Sequence, residues 1–178
     1  MEWPATEADE ACRTGTQRPE DGGRSDQLEP RMIVYLDASA LVKRYVAERG
    51  SRETGDLSAK ADVVATSLVS RAEVAAALAK AVRLGIVEPD NGRRAQRAFA
   101  SQWPDIAKVP VTEALMSRAE ALAWDFALRG YDAVQLASAL TWQEAVGAEI
   151  TLATFDRQLW DAGKKAGIRI WPETLKGA

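Results

Sequence analysis

Four carboxylates in this chain sit where chemistry can use them. Asp37 ends the apolar run Ile33-Val34-Tyr35-Leu36, and Asp156 follows the run Ile150-Thr151-Leu152-Ala153-Thr154 by two residues. Asp132 opens a helical pattern after Leu128-Arg129-Gly130-Tyr131, and Glu73 lies in an Ala-rich helical pattern. The sequence has no histidine and one cysteine, Cys12. That excludes a Ser-His-Asp or Cys-His triad, an HExxH zinc site, any multi-cysteine zinc pattern and an internal disulfide. Chemistry here must run on carboxylates, hydroxyls, Lys, Arg or Tyr. Converging acids without cations repel one another and resist burial. A hard divalent ion, Mg²⁺ or Mn²⁺, relieves both penalties and prefers carboxylate oxygen. Such a cluster suits metal-assisted phosphodiester cleavage, because an ion that lowers the pKa of water makes an imidazole base unnecessary.

Each acid also has a plain structural reading. Asp37, Asp132 and Asp156 stand at positions suited to helix N-caps. Glu73 fits that account less well. Val69, Ala76 and Ala77 surround it at helical spacing, so it lies at the edge of a buried stripe, and Lys80 at i+7 is a distant partner.

The elements that would position these acids follow from the apolar pattern. Strands are expected at 33–36, 62–66, 106–111, 150–154 and 168–171, the third broken by Pro110 and so suited to an edge. Helices are expected from Asp37 through Val46, from Gly50-Ser51 to Lys60, from Leu68 to Leu84 with Gly85 behind it, and from Pro89 to about Trp103. Others run from Thr112 to about Arg129, stopped by Gly130, from Asp132 to about Val146, and from Asp156 to Lys165. Strands alternating with helices imply a parallel sheet covered on both faces, with ligands beyond the carboxyl ends of the strands. There is no GxGxxG and no GxxxxGK[ST] motif.

Residues 1–31 differ in composition. Pro, Gly, Ser, Thr and charges dominate, which implies a disordered extension ahead of a domain at 32–174. A second Met, Met32, stands directly before the first strand. The extension holds eight acids and four bases, whereas the remainder holds 19 bases and 18 acids, a net charge of +1 against −3 for the whole chain. No apolar run reaches the length of a membrane span and no secretory signal pattern is present, so the cytoplasm is the expected compartment.

Four segments together resemble PIN-domain proteins of the VapC toxin type. They are MIVYLDASALVK at 32–43, TSLVSRAEVAAAL at 66–78, LRGYDAVQLASA at 128–139 and LATFDRQL at 152–159. The resemblance implies a PIN-like parallel sheet in order 3-2-1-4-5. It implies a Mg²⁺- or Mn²⁺-dependent endoribonuclease, neutralised by a cognate VapB-type antitoxin and assembled as a homodimer. Asp37, Glu73 and Asp132 match the family's three acids, and Asp156 matches a more variable fourth. Ser39 and Thr154 match polar positions that assist the metal site. RNA would need a basic rim, with Lys43, Arg44, Arg71, Arg129 and Arg157 near the acids in sequence and Arg93, Arg94 and Arg97 as a second cluster. The five Trp beyond residue 31 are read as core or interface. Competing readings are a PIN nuclease of RNA processing, a non-catalytic PIN binding module, and a haloacid-dehalogenase-type phosphotransferase. The last resembles a DxD pattern, and Ser39 stands at its second acidic position.

Overall fold

The structure, a computed structural model, describes residues 31–175. The expectation of a disordered extension therefore lies outside the described residues, Arg31 excepted. In chain order the elements are β1 (Ile33–Leu36), α1 (Ala38–Val42), α2 (Ser51–Lys60), β2 (Val63–Ser67), α3 (Ser70–Arg83) and α4 (Pro89–Gln102). A 3-10 turn at Trp103–Asp105, β3 (Ala107–Val109), α5 (Glu113–Phe126), α6 (Gly130–Val146), β4 (Thr151–Ala153), α7 (Arg157–Lys165) and β5 (Arg169–Trp171) complete it.

The five strands form one all-parallel sheet in the order β3-β2-β1-β4-β5. All four residues of β1 are buried, as expected for a central strand covered on both faces. Its alternation divides the core in two. Ile33 and Tyr35 join Leu136, Leu152 and Leu159 under α5, α6 and α7. Val34 and Leu36 join Leu41, Val74, Leu78 and Phe99 under α1 to α4. The sheet order reverses direction at β1. After β1 the chain moves outward through β2 to β3, then returns to β4 on the other side. The crevice between the carboxyl ends of β1 and β4 is thus the topological switch point of the sheet, where open α/β folds bind ligands.

Several boundaries differ from the sequence expectation. The helix after Asp37 ends at Val42, and a turn carries the chain to α2. Helix α3 begins at Ser70 rather than Leu68, so Glu73 stands in its first turn. Gly130 does not stop α5. That helix ends at Phe126, with Ala127 as its C-cap at a left-handed φ of 51°, and Gly130 is the first residue of α6. Asp132 is therefore inside the first turn of α6 and does not cap it. Of the five Trp in the described residues, Trp103 and Trp160 are buried core, but Trp124 on α5 is 90% exposed. Among the described residues no helix is long and apolar enough to cross a membrane.

Helix α7 is seated tightly by Gly163. A Cβ there would lie 2.5 Å from Ile170 Cδ1 and 3.3 Å from both Ile168 Cγ2 and Leu152 Cδ2, all in the packed core. That close seat sets where the N-terminus of α7, and hence Asp156, meets the end of β4. Gly163→Val is expected to lower stability by about 1–3 kcal/mol through overpacking, measured by urea denaturation.

Candidate active site

All four acids line one cavity of about 780 Å³ at the switch point, with Ser39, Lys80, Arg129, Tyr131 and Gln135 among its other walls. A larger cavity of about 900 Å³ lies between α2 and the C-terminal segment. Met32, Lys43, Leu57, Phe155 and Trp171 help to line it, and it holds none of the four. Chemistry assigns the site to the smaller cavity, because only there do acids from separate elements converge.

Asp37 is the most deeply placed, 4% exposed. It follows β1 directly, and its side chain caps α1 by accepting a hydrogen bond from the Ala40 N–H at 2.8 Å. The Ser39 hydroxyl donates to the same carboxylate at 2.8 Å, and the Thr154 hydroxyl donates to Oδ2 at 2.9 Å. Those hydroxyls are themselves held by backbone. The Phe155 N–H donates to Ser39 Oγ and the Asp156 N–H to Thr154 Oγ1. Ser39 and Thr154 thus spend their protons on orienting Asp37. Burial nevertheless pushes the Asp37 carboxyl up to about 7, with the Glu73 charge adding to the rise against the opposing hydrogen bonds.

Glu73 projects from the first turn of α3 and accepts a 2.6 Å hydrogen bond from Gln135 Nε2. Gln135, on α6, is buried and fully engaged. It also donates to Ser70 Oγ at 2.9 Å and accepts from the Tyr35 hydroxyl at 2.7 Å. Glu73 is thereby tied to the middle of β1. Desolvation raises its pKa, the Gln135 bond opposes this, and Asp132 adds to the rise. Asp132, half-buried, is likewise raised chiefly by desolvation, partly offset by Arg129.

Asp156 caps α7. One oxygen accepts from the N–H groups of Gln158 and Leu159 at 2.8 and 3.1 Å, and the other faces Arg129. Capping and convergence on the site are thus not alternatives for Asp37 and Asp156. Each caps its helix through Oδ1, while Oδ2 accepts from Thr154 in Asp37 and from Arg129 in Asp156, and both residues line the cavity.

Of the eight cations expected to form a basic rim, Arg129 reaches the acid cavity, pairing with both Asp132 and Asp156. The others stand outside its lining. Lys43 pairs with Glu48 and sits 4.4 Å over the Phe155 ring. Arg44 bonds Gln102, Arg71 lies over Trp103, and Arg157 bonds the Leu175 carbonyl. Arg93, Arg94 and Arg97 lie exposed on α4, where Arg93 pairs with Asp90 and Arg94 bonds Asn91.

The cavity also brings in Gln135 and Tyr131, which the sequence pattern did not single out, and Lys80, expected only as a distant partner of Glu73. Lys80 carried a usable signal, since i+7 from Glu73 places it on the same face of α3. Gln135 carried one as well, being i+3 from Asp132 in an otherwise apolar stretch.

A PIN-domain family model matches residues 34–165. Two relatives from Mycobacterium tuberculosis, Ribonuclease VapC45 of strain CDC 1551 and Ribonuclease VapC49 of strain H37Rv, are each 38% identical over 144 residues, covering 80% of this chain and 97% of their own. The chain is a PIN-domain protein of the VapC type. Solved structures agree on the PIN fold. PAE2754 from Pyrobaculum aerophilum superposes with a TM-score of 0.54 at 23% identity, covering 78% of this chain and 83% of that one. VapBC2 from Rickettsia felis, bound to a DNA fragment from its promoter, superposes with a TM-score of 0.52 at 16% identity over 78% and 97%.

The donor set fits a hard divalent cation. It is made of carboxylates, one of them buried with three hydrogen-bond donors and, among the described residues, no cation bonded to it. Among the described residues, however, no three acids stand together as a ready-made ion cage.

The raised pKa of Asp37 has a defined sign in metal-free protein. Its ordinary value is near 4, so between about pH 4 and 7 the folded state holds a proton that the unfolded state releases. Stability therefore falls as pH rises through this window, by at most about 1.4 kcal/mol per unit. Asp37→Asn keeps a capping oxygen and carries no charge. Its melting temperature is expected to match the parent near pH 4 and exceed it at pH 8, both in EDTA. Asp37→Ala loses the cap and is expected to cost about 0.5–2 kcal/mol even at pH 4. Gln135→Met, which takes the buried Gln135 acceptor from the Tyr35 hydroxyl, is expected to cost about 1–3 kcal/mol by the same measurement.

Proposed function

We propose that this chain is a Mg²⁺- or Mn²⁺-dependent endoribonuclease, the toxin of a pair neutralised by a cognate VapB-type antitoxin. The observation that carries the reading is the convergence of Asp37, Glu73, Asp132 and Asp156, from four separate segments, on one cavity at the switch point of the sheet. The ribonuclease names of the two relatives at 38% identity support it.

In this reading Asp37, Glu73, Asp132 and Asp156 hold the ion. Bound there, it supplies a water made acidic enough to act as nucleophile near neutral pH and offsets charge on the phosphoryl oxygens. The chain's own groups do the rest. Ser39 and Thr154 hold the Asp37 carboxylate from both sides of the β1–β4 crevice, and Gln135 holds that of Glu73. The exposed Lys80, and Tyr131, 64% exposed, line the same cavity, where they offer a phosphate contact and a stacking surface to single-stranded RNA. Lys43, Arg44, Arg71, Arg157, Arg93, Arg94 and Arg97 would meet RNA outside the cavity.

The test is cleavage of total RNA with Mn²⁺ or Mg²⁺ and with EDTA. Metal-dependent products bearing 5′-phosphate and 3′-hydroxyl ends are expected, with Glu73→Gln and Asp132→Asn reducing the rate by about a hundredfold or more. Products ending in 2′,3′-cyclic phosphate, or cleavage undiminished by EDTA, overturn the mechanism.

A further inference from the structure

Arg129 occupies an unusual place. It is the residue immediately before α6, in extended conformation, and its side chain does not cap that helix. Its guanidinium turns back over the acid cavity. Nε donates to Asp132 Oδ2 at 2.7 Å and Nη2 donates to Asp156 Oδ2 at 2.5 Å. One cation thus ties together carboxylates from two different elements, α6 and the β4–α7 junction. It does so from the solvent side, with its own side chain 66% exposed while Asp132 and Asp156 are 15% and 26% exposed.

The same contact accounts for a second feature. Four acids line one cavity, yet no three of them are gathered into an ion cage. Both Oδ2 atoms nearest the guanidinium face Arg129, Asp156 gives its other oxygen to the α7 cap, and Glu73 is drawn toward Gln135. A divalent ion drawing on the Oδ2 atoms of Asp132 and Asp156 would use oxygens that already face a positive group. The repulsion between two cations sharing one carboxylate oxygen at contact distance is large at any realistic dielectric.

We propose that Arg129 is an internal counter-cation that closes the acid cluster in the metal-free protein, and that a divalent ion and the Arg129 guanidinium hold Asp132 and Asp156 in mutually exclusive fashion. The inference rests on the metal-binding reading of the site and adds a regulation to it. Metal affinity is set partly by the release of Arg129, and metal entry moves an exposed side chain at the mouth of the cavity. Lys at this position can reach one carboxylate but not bridge two, because only Arg presents a planar fork of donors.

The experiment is isothermal titration calorimetry of MnCl₂ into the full chain, without RNA, at low ionic strength. It compares the parent with R129Q, R129K and D37N, each confirmed as folded by circular dichroism. R129Q is expected to bind Mn²⁺ about three- to tenfold more tightly than the parent, since one exposed bridging cation is removed. R129K is expected to fall between them. In EDTA, R129Q is expected to melt below the parent, and the rise on adding Mn²⁺ is expected to be larger than the parent's. Equal or weaker Mn²⁺ binding by R129Q overturns the inference, weaker binding meaning that Arg129 helps to gather the acids. D37N separates the two failures. Should the parent bind Mn²⁺ no better than D37N, the metal-binding reading itself fails and the inference falls with it.

Discussion

Burying the Asp37 carboxylate at the end of the central strand is the constraint on which the site depends. A carboxylate 4% exposed is costly unless it is hydrogen-bonded and charge-compensated. The fold meets the first requirement with the Ala40 N–H, Ser39 and Thr154. None of these carries a positive charge, which is why burial still pushes the group up to about 7. The crevice is thus built around a carboxyl whose ionised form has no bonded cation among the described residues. The remaining three acids are arranged around that centre.

Their arrangement follows from one repeated local device. Asp37 caps α1, Glu73 and Asp132 stand in the first turns of α3 and α6, and Asp156 caps α7. Each acid sits at a helix N-terminus, where free backbone N–H groups and the helix dipole favour negative charge. A parallel sheet sends its chain into helices from the carboxyl ends of the strands, so helix N-termini gather there by topology. Local charge compensation makes four acids tolerable together, and Gln135 and Arg129 supply the side-chain bonds that the backbone leaves unmade.

Capping a helix and lining the acid cavity coincide at Asp37 and Asp156, because a carboxylate has two oxygens. At Asp132 the cap reading was wrong for a backbone reason. Ala127 caps α5 in a left-handed conformation, and α6 begins at Gly130, two residues earlier than the Asp suggested. Glycine signals helix termination in general, but here an alanine took that role. At Glu73 the apolar neighbours correctly indicated a half-buried acid needing a partner. The partner proved to be Gln135, 62 residues away.

The amino-acid sequence by itself determined the alternation of strands and helices, the parallel sheet they imply, and the placing of Asp37, Asp132 and Asp156 at element ends. These are properties of local pattern, written in residues a few positions apart. Tertiary structure alone decided which other groups meet those acids. Arg129 reaches Asp156 across 27 positions, and the Tyr35 hydroxyl meets Gln135 across 100. Seven of the eight cations expected near the acids lie outside the cavity lining, because neighbours in sequence diverge once one enters a helix face and the next a turn. Pairing of side chains across the crevice depends on how helices seat against the sheet, and a local pattern carries no record of that.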